Sequence, residues 1–428
     1  MSESERSFSA VSYAVQTDVG MRRSNNQDSA TTVLAESPTG FQRKGHLFVV
    51  ADGMGAHAAG ELASQMAVQR ISQHYFRDQS DVPVMALQTA IVEANREIYL
   101  KGQNNPEFHN MGTTASVLTL LPTGAIVGHV GDSRVYRWRK NLFEQLTFDH
   151  SLVWEMEANG TVQPNSELSR AIPKNVITRS LGPNAEVMVD TEGPWPALRG
   201  DRYLLCSDGL TGQVTDLEIG AIVGAMPADR AAQVLIDLAN LRGGPDNITV
   251  IIVHVEADFN QNNLPVATRR KIRNPPPVLW VIVAVSLLMA FPLGINDRLV
   301  GMLAALAVAI ACTIYMGWYC WFCPQASSTN RAHAGLASGR GPYRQYQAKP
   351  TNDLVQQLAN TVQKLRDAVA EQGWKIDWSA IDQLQADSQS AQNKKQLSEA
   401  LRLQAEAVMM TMQQLRAQRA QSTESIDL

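Results

Sequence analysis

The sequence predicts an α+β domain of antiparallel sheets covered by helices. Three observations carry this expectation: short runs rich in Val, Ile and Leu bounded by Gly, Pro or Asp; a hairpin signal between two of them; and helix-like stretches in neighbouring pairs. The strand-like runs are 46–51, 115–121, 125–130, 134–138, 202–207 and 248–254. Pro122-Thr123-Gly124 joins the second run to the third and marks the hairpin. Helical periodicity covers 58–76, 84–100, 152–159, 217–225 and 228–240. A doubly wound parallel sheet would alternate single strands with crossover helices, so that class is excluded. One domain is expected over 8–256.

The chain has 428 residues, enough for that domain and a further region. A net charge of −4 implies neither a nucleic-acid groove nor an acidic tail. The four cysteines, Cys206, Cys312, Cys320 and Cys323, make no disulfide framework, which fits a reducing compartment. The first residues, Met-Ser-Glu-Ser-Glu-Arg, have no apolar core of a signal peptide, so the first domain is expected in the cytosol.

Beyond 256 the composition changes. Residues 257–277 contain Arg269, Arg270, Lys271 and Arg273 and then three prolines, a basic and stiffened linker. Two apolar stretches follow, 278–295 and 299–322, separated by Asn296-Asp297-Arg298. Each is long enough to cross about 30 Å of hydrocarbon, so 278–323 reads as a transmembrane hairpin, with a buried core hairpin as the alternative. Basic residues on both flanks, including Arg331, Arg340 and Arg344, place both flanks in the cytoplasm by the positive-inside rule. The expected location is therefore the cytoplasmic membrane, multi-pass, with the first domain and the C-terminus on the cytoplasmic side. Ser, Gly and Ala dominate 324–350, read as a flexible linker. From 351 to 417 the spacing is helical, with apolar stripes Leu354, Leu358, Val362, Leu365, Val369 and then Leu397, Leu401, Val408, Met412, Leu415. These stripes fit either a coiled coil, with itself or a partner, or two helices packed as a hairpin.

Five aspartates in short turns carry the chemistry: Asp28, Asp52, Asp132, Asp208 and Asp246. If such carboxylates converge, each raises the pKa of the others unless cations neutralise them. Oxygen-only ligands select hard divalent ions. Two such ions sharing a carboxylate make a water acidic enough to ionise near neutral pH, and the hydroxide can attack phosphorus in line. An arginine would hold the equatorial oxygens with its planar fork. Cys206 has no Cys-x5-Arg arrangement, so a thiol phosphatase is excluded.

In order along the chain stand Thr17-Asp18-Val19-Gly20 through Asn26-Gln27-Asp28, Asp52-Gly53, Gly112-Thr113-Thr114, Gly131-Asp132-Ser133-Arg134, Ser207-Asp208-Gly209 and Asp246-Asn247. Together they resemble the protein phosphatase 2C family of metal-dependent Ser/Thr phosphatases over about 13–255. The resemblance implies a four-layer αββα sandwich holding two Mn2+ or Mg2+ ions, with a weaker third. It implies that Asp52 bridges the metals and the Gly53 carbonyl binds the second. Asp208 and Asp246 would complete the first metal's shell, Asp28 would serve the second, and Asp132 would bind the third together with Asp208. Arg23 falls on the family's phosphate-binding arginine, with Arg22 as the neighbouring candidate, and Asn247 would orient Asp246. Residues 152–182 match a variable flap that shapes substrate access.

There are departures. Met54 replaces a histidine proposed as general acid in many members, as in the bacterial branch, which leaves that role to His57 or a metal-bound water. Ala56 replaces a glycine and Gln27 a glutamate. The expected function is a membrane-anchored Ser/Thr protein phosphatase acting on phosphorylated proteins, opposing a Ser/Thr kinase. The alternative is a phosphoprotein-binding scaffold of little activity.

Overall fold

The structure, a computed structural model, describes residues 11–55, 58–163, 166–173, 176–259 and 339–424, together with the isolated residues 288, 303 and 307. One compact unit comprises 1–260 and 337–428; the second, 261–336, lies almost wholly outside the described residues.

Two antiparallel sheets form the centre of the first unit. One contains, in spatial order, β1 (Val11–Asp18), β11 (Ile248–Val255), β10 (Arg202–Cys206), β7 (Arg134–Arg139), β8 (Leu142–Gln145) and β12 (Arg344–Gln347). The other runs β2 (Asp28–Val33), β3 (His46–Met54), β5 (Ala115–Leu121), β6 (Gly124–Val130) and β9 (Asp190–Trp195), with the short β4 (Gly112–Thr113) beside β3.

The layering follows from the two-residue repeat of strand side chains. On β3, Leu47, Val49 and Ala51 enter the core beneath α2 (Ala59–Arg77) and α3 (Pro83–Asn104), while Phe48 and Val50 enter the core between the sheets. On β11, Ile251, Val253 and Val255 face that inter-sheet core, and Ile248, Val250 and Ile252 face α7 (Asp216–Ala225) and α8 (Ala228–Leu241). Strands covered on both sides are apolar along most of their length, which is why these runs stood out in the sequence. Helices, sheet, sheet and helices are therefore stacked as expected. The remaining helices of this part are α1 (Pro38–Lys44), α4 (Leu152–Ala158), α5 (Glu167–Ala171) and α6 (Asp208–Thr211). The inter-sheet core runs past the expected domain end at 256: Phe259 is buried against Phe41, ring centroids 5.1 Å apart.

The C-terminal part departs from expectation. Within the linker expected over 324–350, Arg344–Gln347 form β12, paired with β8 in the register Arg344↔Gln145. Three helices follow, where two stripes were expected: α9 (Asn352–Gln372), α10 (Ser379–Asn393) and α11 (Leu397–Glu424). They form neither a free coiled coil nor a separate hairpin. Leu354, Leu358, Val362, Leu401 and Val408 share one core with Ile222, Leu235 and Leu238 of α7 and α8. Thr351 caps α9 and Gly373, in the left-handed region, ends it. Among the described residues no helix is long and apolar enough to cross a membrane. The expected spans 278–295 and 299–322, like most of 257–338, lie outside the described residues.

Gly220 of α7 marks how closely this module sits. A Cβ there would stand 2.6 Å from Ala348 Cβ and 2.7 Å from Phe143 Cγ. Gly220→Val should therefore destabilise the chain by roughly 1–3 kcal/mol through overpacking, read as a lower thermal midpoint. An unchanged midpoint would show that the module is not seated on α7.

Candidate active site

The aspartates reach one place because both sheets present strand ends there. Asp28 opens β2 directly opposite Asp52 on β3 in the antiparallel register. Asp208 begins α6 right after β10, and Asp246 precedes β11, the neighbour of β10. Asp132 lies in the turn by which the chain leaves β6 in one sheet and enters β7 in the other. Asp28 thus begins its strand, and Asp246 lies just before its own.

Small hydroxyl residues fix this arrangement. Ser207 Oγ donates to Asp28 Oδ2 at 2.7 Å and accepts from the Thr249 amide at 2.9 Å, joining the two sheets through one side chain. Thr114 Oγ1 accepts from the Asp52 amide at 2.9 Å, and the Thr114 amide returns a bond to the Asp52 carbonyl. Ser133 Oγ lies 2.7 Å from the same Thr114 oxygen, tying the Asp132 turn to Asp52. Glycine is required at 53, where a Cβ would meet the Gly60 carbonyl oxygen at 2.1 Å and that of Gln27 at 2.5 Å.

Arg23, about half exposed, donates to Asp246 Oδ2 at 2.7 Å. This contact puts Arg23, and not Arg22, at the carboxylates. Asn247 does a different job from the one expected. Its side chain accepts from the Gln27 amide at 2.8 Å and donates to the carbonyls of Val19 and Asn25, pinning the loop that carries Arg23. Only its backbone amide meets Asp246. His150 accepts from the Gly131 amide through Nδ1, so its Nε2 carries the proton toward Asp190 at 3.0 Å. It buttresses the Asp132 turn. His57 and Ala56 lie outside the described residues.

Burial pushes the carboxyls of Asp52 and Asp132 well above the usual carboxylate range, and burial also raises Asp208. Burial brings Asp28 to about 7, with Asp208 and Asp246 adding to the shift. Asp52 feels Asp28, Asp208, Asp132 and Asp246 together, so all five charges surround one region. They ring that space without closing on a single point: among the described residues no three acidic, imidazole or thiol groups form a finished ligand cage. The donor set nevertheless fits divalent cations. Buried Asp28 Oδ1 and Asp132 Oδ1 accept no hydrogen bond, and a cation would satisfy both and hold the acids ionised.

A cavity of about 230 Å³ adjoins the cluster. Asp132 and Asp208 form one wall, and Arg134, Trp154, Glu157 and Arg344 form others. Sequence reasoning gave Ser207, Thr114 and Ser133 no role, although each stands inside a motif it had singled out. Arg344 had been read only as a membrane-flanking charge in a linker.

A family model described as protein phosphatase 2C matches residues 21–226. A putative protein phosphatase 2C-type protein of Streptococcus pyogenes is 37% identical over 253 residues, 58% of this chain and 99% of that protein. The chain belongs to the protein phosphatase 2C family. Protein phosphatase PhpP of Streptococcus pneumoniae is 38% identical over 254 residues, again 58% of this chain and 99% of the relative. Among solved structures, the serine/threonine phosphatase of S. agalactiae matches with a TM-score of 0.51 and 35% identity, covering 57% of this chain and all of that one. These protein phosphatase 2C relatives end where the shared domain ends, so the C-terminal strand and helices are an addition to it.

Removing a hydrogen-bond partner of a metal-binding carboxylate typically costs about 10–100-fold in metal affinity. Ser207→Ala should therefore weaken Mn2+ binding by that order in calorimetric titration of the full-length chain.

Proposed function

We propose that this chain is a metal-dependent serine/threonine protein phosphatase that cleaves phosphate monoesters on proteins. The observation that carries the reading is the ring of five aspartates, intact at every position that the family resemblance assigns to a metal. In this reading Asp52 would serve both Mn2+ or Mg2+ ions and the Gly53 carbonyl would serve the second. Asp208 and Asp246 would complete the first, Asp28 would support the second, and Asp132 with Asp208 would offer a weaker third position. Bound there, the cations supply a water that ionises near neutral pH and charge to oppose the phosphate's.

The chain's own residues do the rest. Arg23 stands at the exposed edge of the cluster, and its fork can hold two phosphate oxygens while Asp246 fixes its direction. Asn247 keeps the Arg23 loop in place, and Ser207 and Thr114 hold Asp28 and Asp52 in register across the sheets. Met54 cannot protonate the leaving alkoxide, so that role would fall to His57 or to a metal-bound water. Cys206 cannot act as a nucleophile: it is fully buried, and burial pushes its thiol far up. A phosphoprotein-binding scaffold would have no need to keep five mutually repelling acids together at such cost.

Asp208→Asn should lower Mn2+-dependent hydrolysis of p-nitrophenyl phosphate by the full-length chain by about 10²-fold or more. Arg23→Ala should cost about 10–100-fold in kcat/KM, the equivalent of a hydrogen bond to a charged group. Chelation should abolish turnover, and added Mn2+ or Mg2+ should restore it. Activity of Asp208→Asn equal to the parent's would reject the reading.

The reading extends to place. The apolar stretches 278–295 and 299–322 anchor the chain in the cytoplasmic membrane as a hairpin, and the substrates are proteins phosphorylated by a Ser/Thr kinase and held near that membrane. Support comes from the chain on either side: 11–259 and 339–424 share one compact unit, and an even number of crossings brings both flanks to the same side. Carbonate-washed membranes should retain the chain, and replacing 278–323 with a soluble linker should release it. Full-length chain in the carbonate supernatant counts against anchoring.

A further inference from the structure

We infer that Arg344, contributed by the C-terminal extension, is a positioning residue that sets the substrate flap and so governs recognition of protein substrates. The inference rests on the phosphatase reading above and concerns a residue outside the shared domain. Its basis is a juxtaposition. The Arg344 guanidinium donates to Glu157 Oε2 at 2.8 Å and lies over the Trp154 ring, 3.7 Å from its centroid. Both partners belong to α4, the first helix of the flap region. Glu157 also accepts from Ser169 Oγ at 2.6 Å, so one carboxylate links Arg344 to α5. Trp154 is nearly buried, with Phe148 against one edge, and Phe148 in turn meets Tyr343.

The backbone that presents Arg344 is itself fastened. β12 pairs with β8, and the Tyr343 amide donates to the Gln145 carbonyl at 2.9 Å. Just before it, Glu192 accepts from the amides of Arg340 and Gly341 and from the Tyr343 hydroxyl. An arginine held this firmly can impose its geometry on a short helix. One guanidinium nitrogen and the stacking face are both used, and a lysine could reproduce only the charge.

The flap wall carrying these contacts faces the cavity that Asp132 and Asp208 border. A small phosphate ester reaching the aspartates needs little of that wall. A phosphorylated protein segment must lie along it, and misplacement of about 1 Å there is costly. Arg344 thus separates the chemistry, which it does not touch, from the fit of the polypeptide around it.

The test uses the full-length chain, with p-nitrophenyl phosphate and a phosphothreonine peptide as substrates. Arg344→Ala should raise KM for the peptide about 10-fold while leaving kcat and KM for p-nitrophenyl phosphate within about twofold. Arg344→Lys, which keeps the ion pair, should recover part of the peptide affinity and guards against a result due to misfolding. Equal peptide KM in Arg344→Ala and the parent, or a parallel loss on both substrates in both variants, would overturn the inference. A parent chain inactive on both substrates would instead overturn the phosphatase reading itself.

Discussion

Everything at the active site depends on holding mutually repelling carboxylates together where water cannot screen them. Burial alone drives Asp28, Asp52, Asp132 and Asp208 toward the neutral form, and their mutual repulsion adds to it. No local segment could enforce that. The two sheets do, because their strands are apolar on both faces and their positions are set by the core between them. Asp28 and Asp52 come from one sheet, Asp208 and Asp246 from the other, and Asp132 from the turn connecting them. Ser207, whose hydroxyl touches Asp28 and whose backbone belongs to the opposite sheet, is the smallest expression of the same constraint. Folding supplies the free energy that keeps the acids close, and divalent cations return part of it.

The C-terminal extension is built into that frame. β12 covers the edge that β8 would otherwise expose, an edge that invites pairing with other chains. The helices after it enlarge the core over α7 and α8. At the other end of the module, Arg416 reaches Asp237 at 2.8 Å and Asp18 at 3.6 Å. Asp18 accepts from the Gly20 amide and from Asn240, at the root of the loop that carries Arg23. The extension therefore meets the flap through Arg344 and, through Arg416, the strand end from which the Arg23 loop starts.

What the sequence revealed, and what it hid, follows from burial. Strands covered on both faces, β3, β5, β6, β10 and β11, were legible because their apolar residues run with few interruptions. β1 was missed because it is an edge strand whose Tyr13 and Val15 are exposed, and β2 because Asp-Ser-Ala-Thr-Thr reads as polar. β8 is four residues long and carries buried Glu144, tolerable because Arg137 and Gln345 both donate to it. α10 buries only Ile381, Ser388 and Ala391, too little for a stripe. At the site, the acids were legible because short aspartate-bearing turns recur in a fixed order. Asn247 was assigned to its sequence neighbour, Asp246, but its amide serves a loop 220 residues away.

Arg344 shows the limit most clearly. Nothing local distinguishes it from Arg331 or Arg340, since all three are lone cations in a Ser/Gly/Ala-rich stretch. Its role comes from a strand of four residues finding a free sheet edge nearly two hundred positions earlier, where Gln145 stands opposite. Pairing of that kind is specified by the partner edge and not by the short strand's own composition. Once β12 is docked, alternation decides which residues face where: Gln345 turns to Glu144, and Arg344 turns to Trp154 and Glu157. A one-residue slip would exchange the two and leave Glu157 without its cation. The register of one edge strand thus determines whether the extension meets the flap at all.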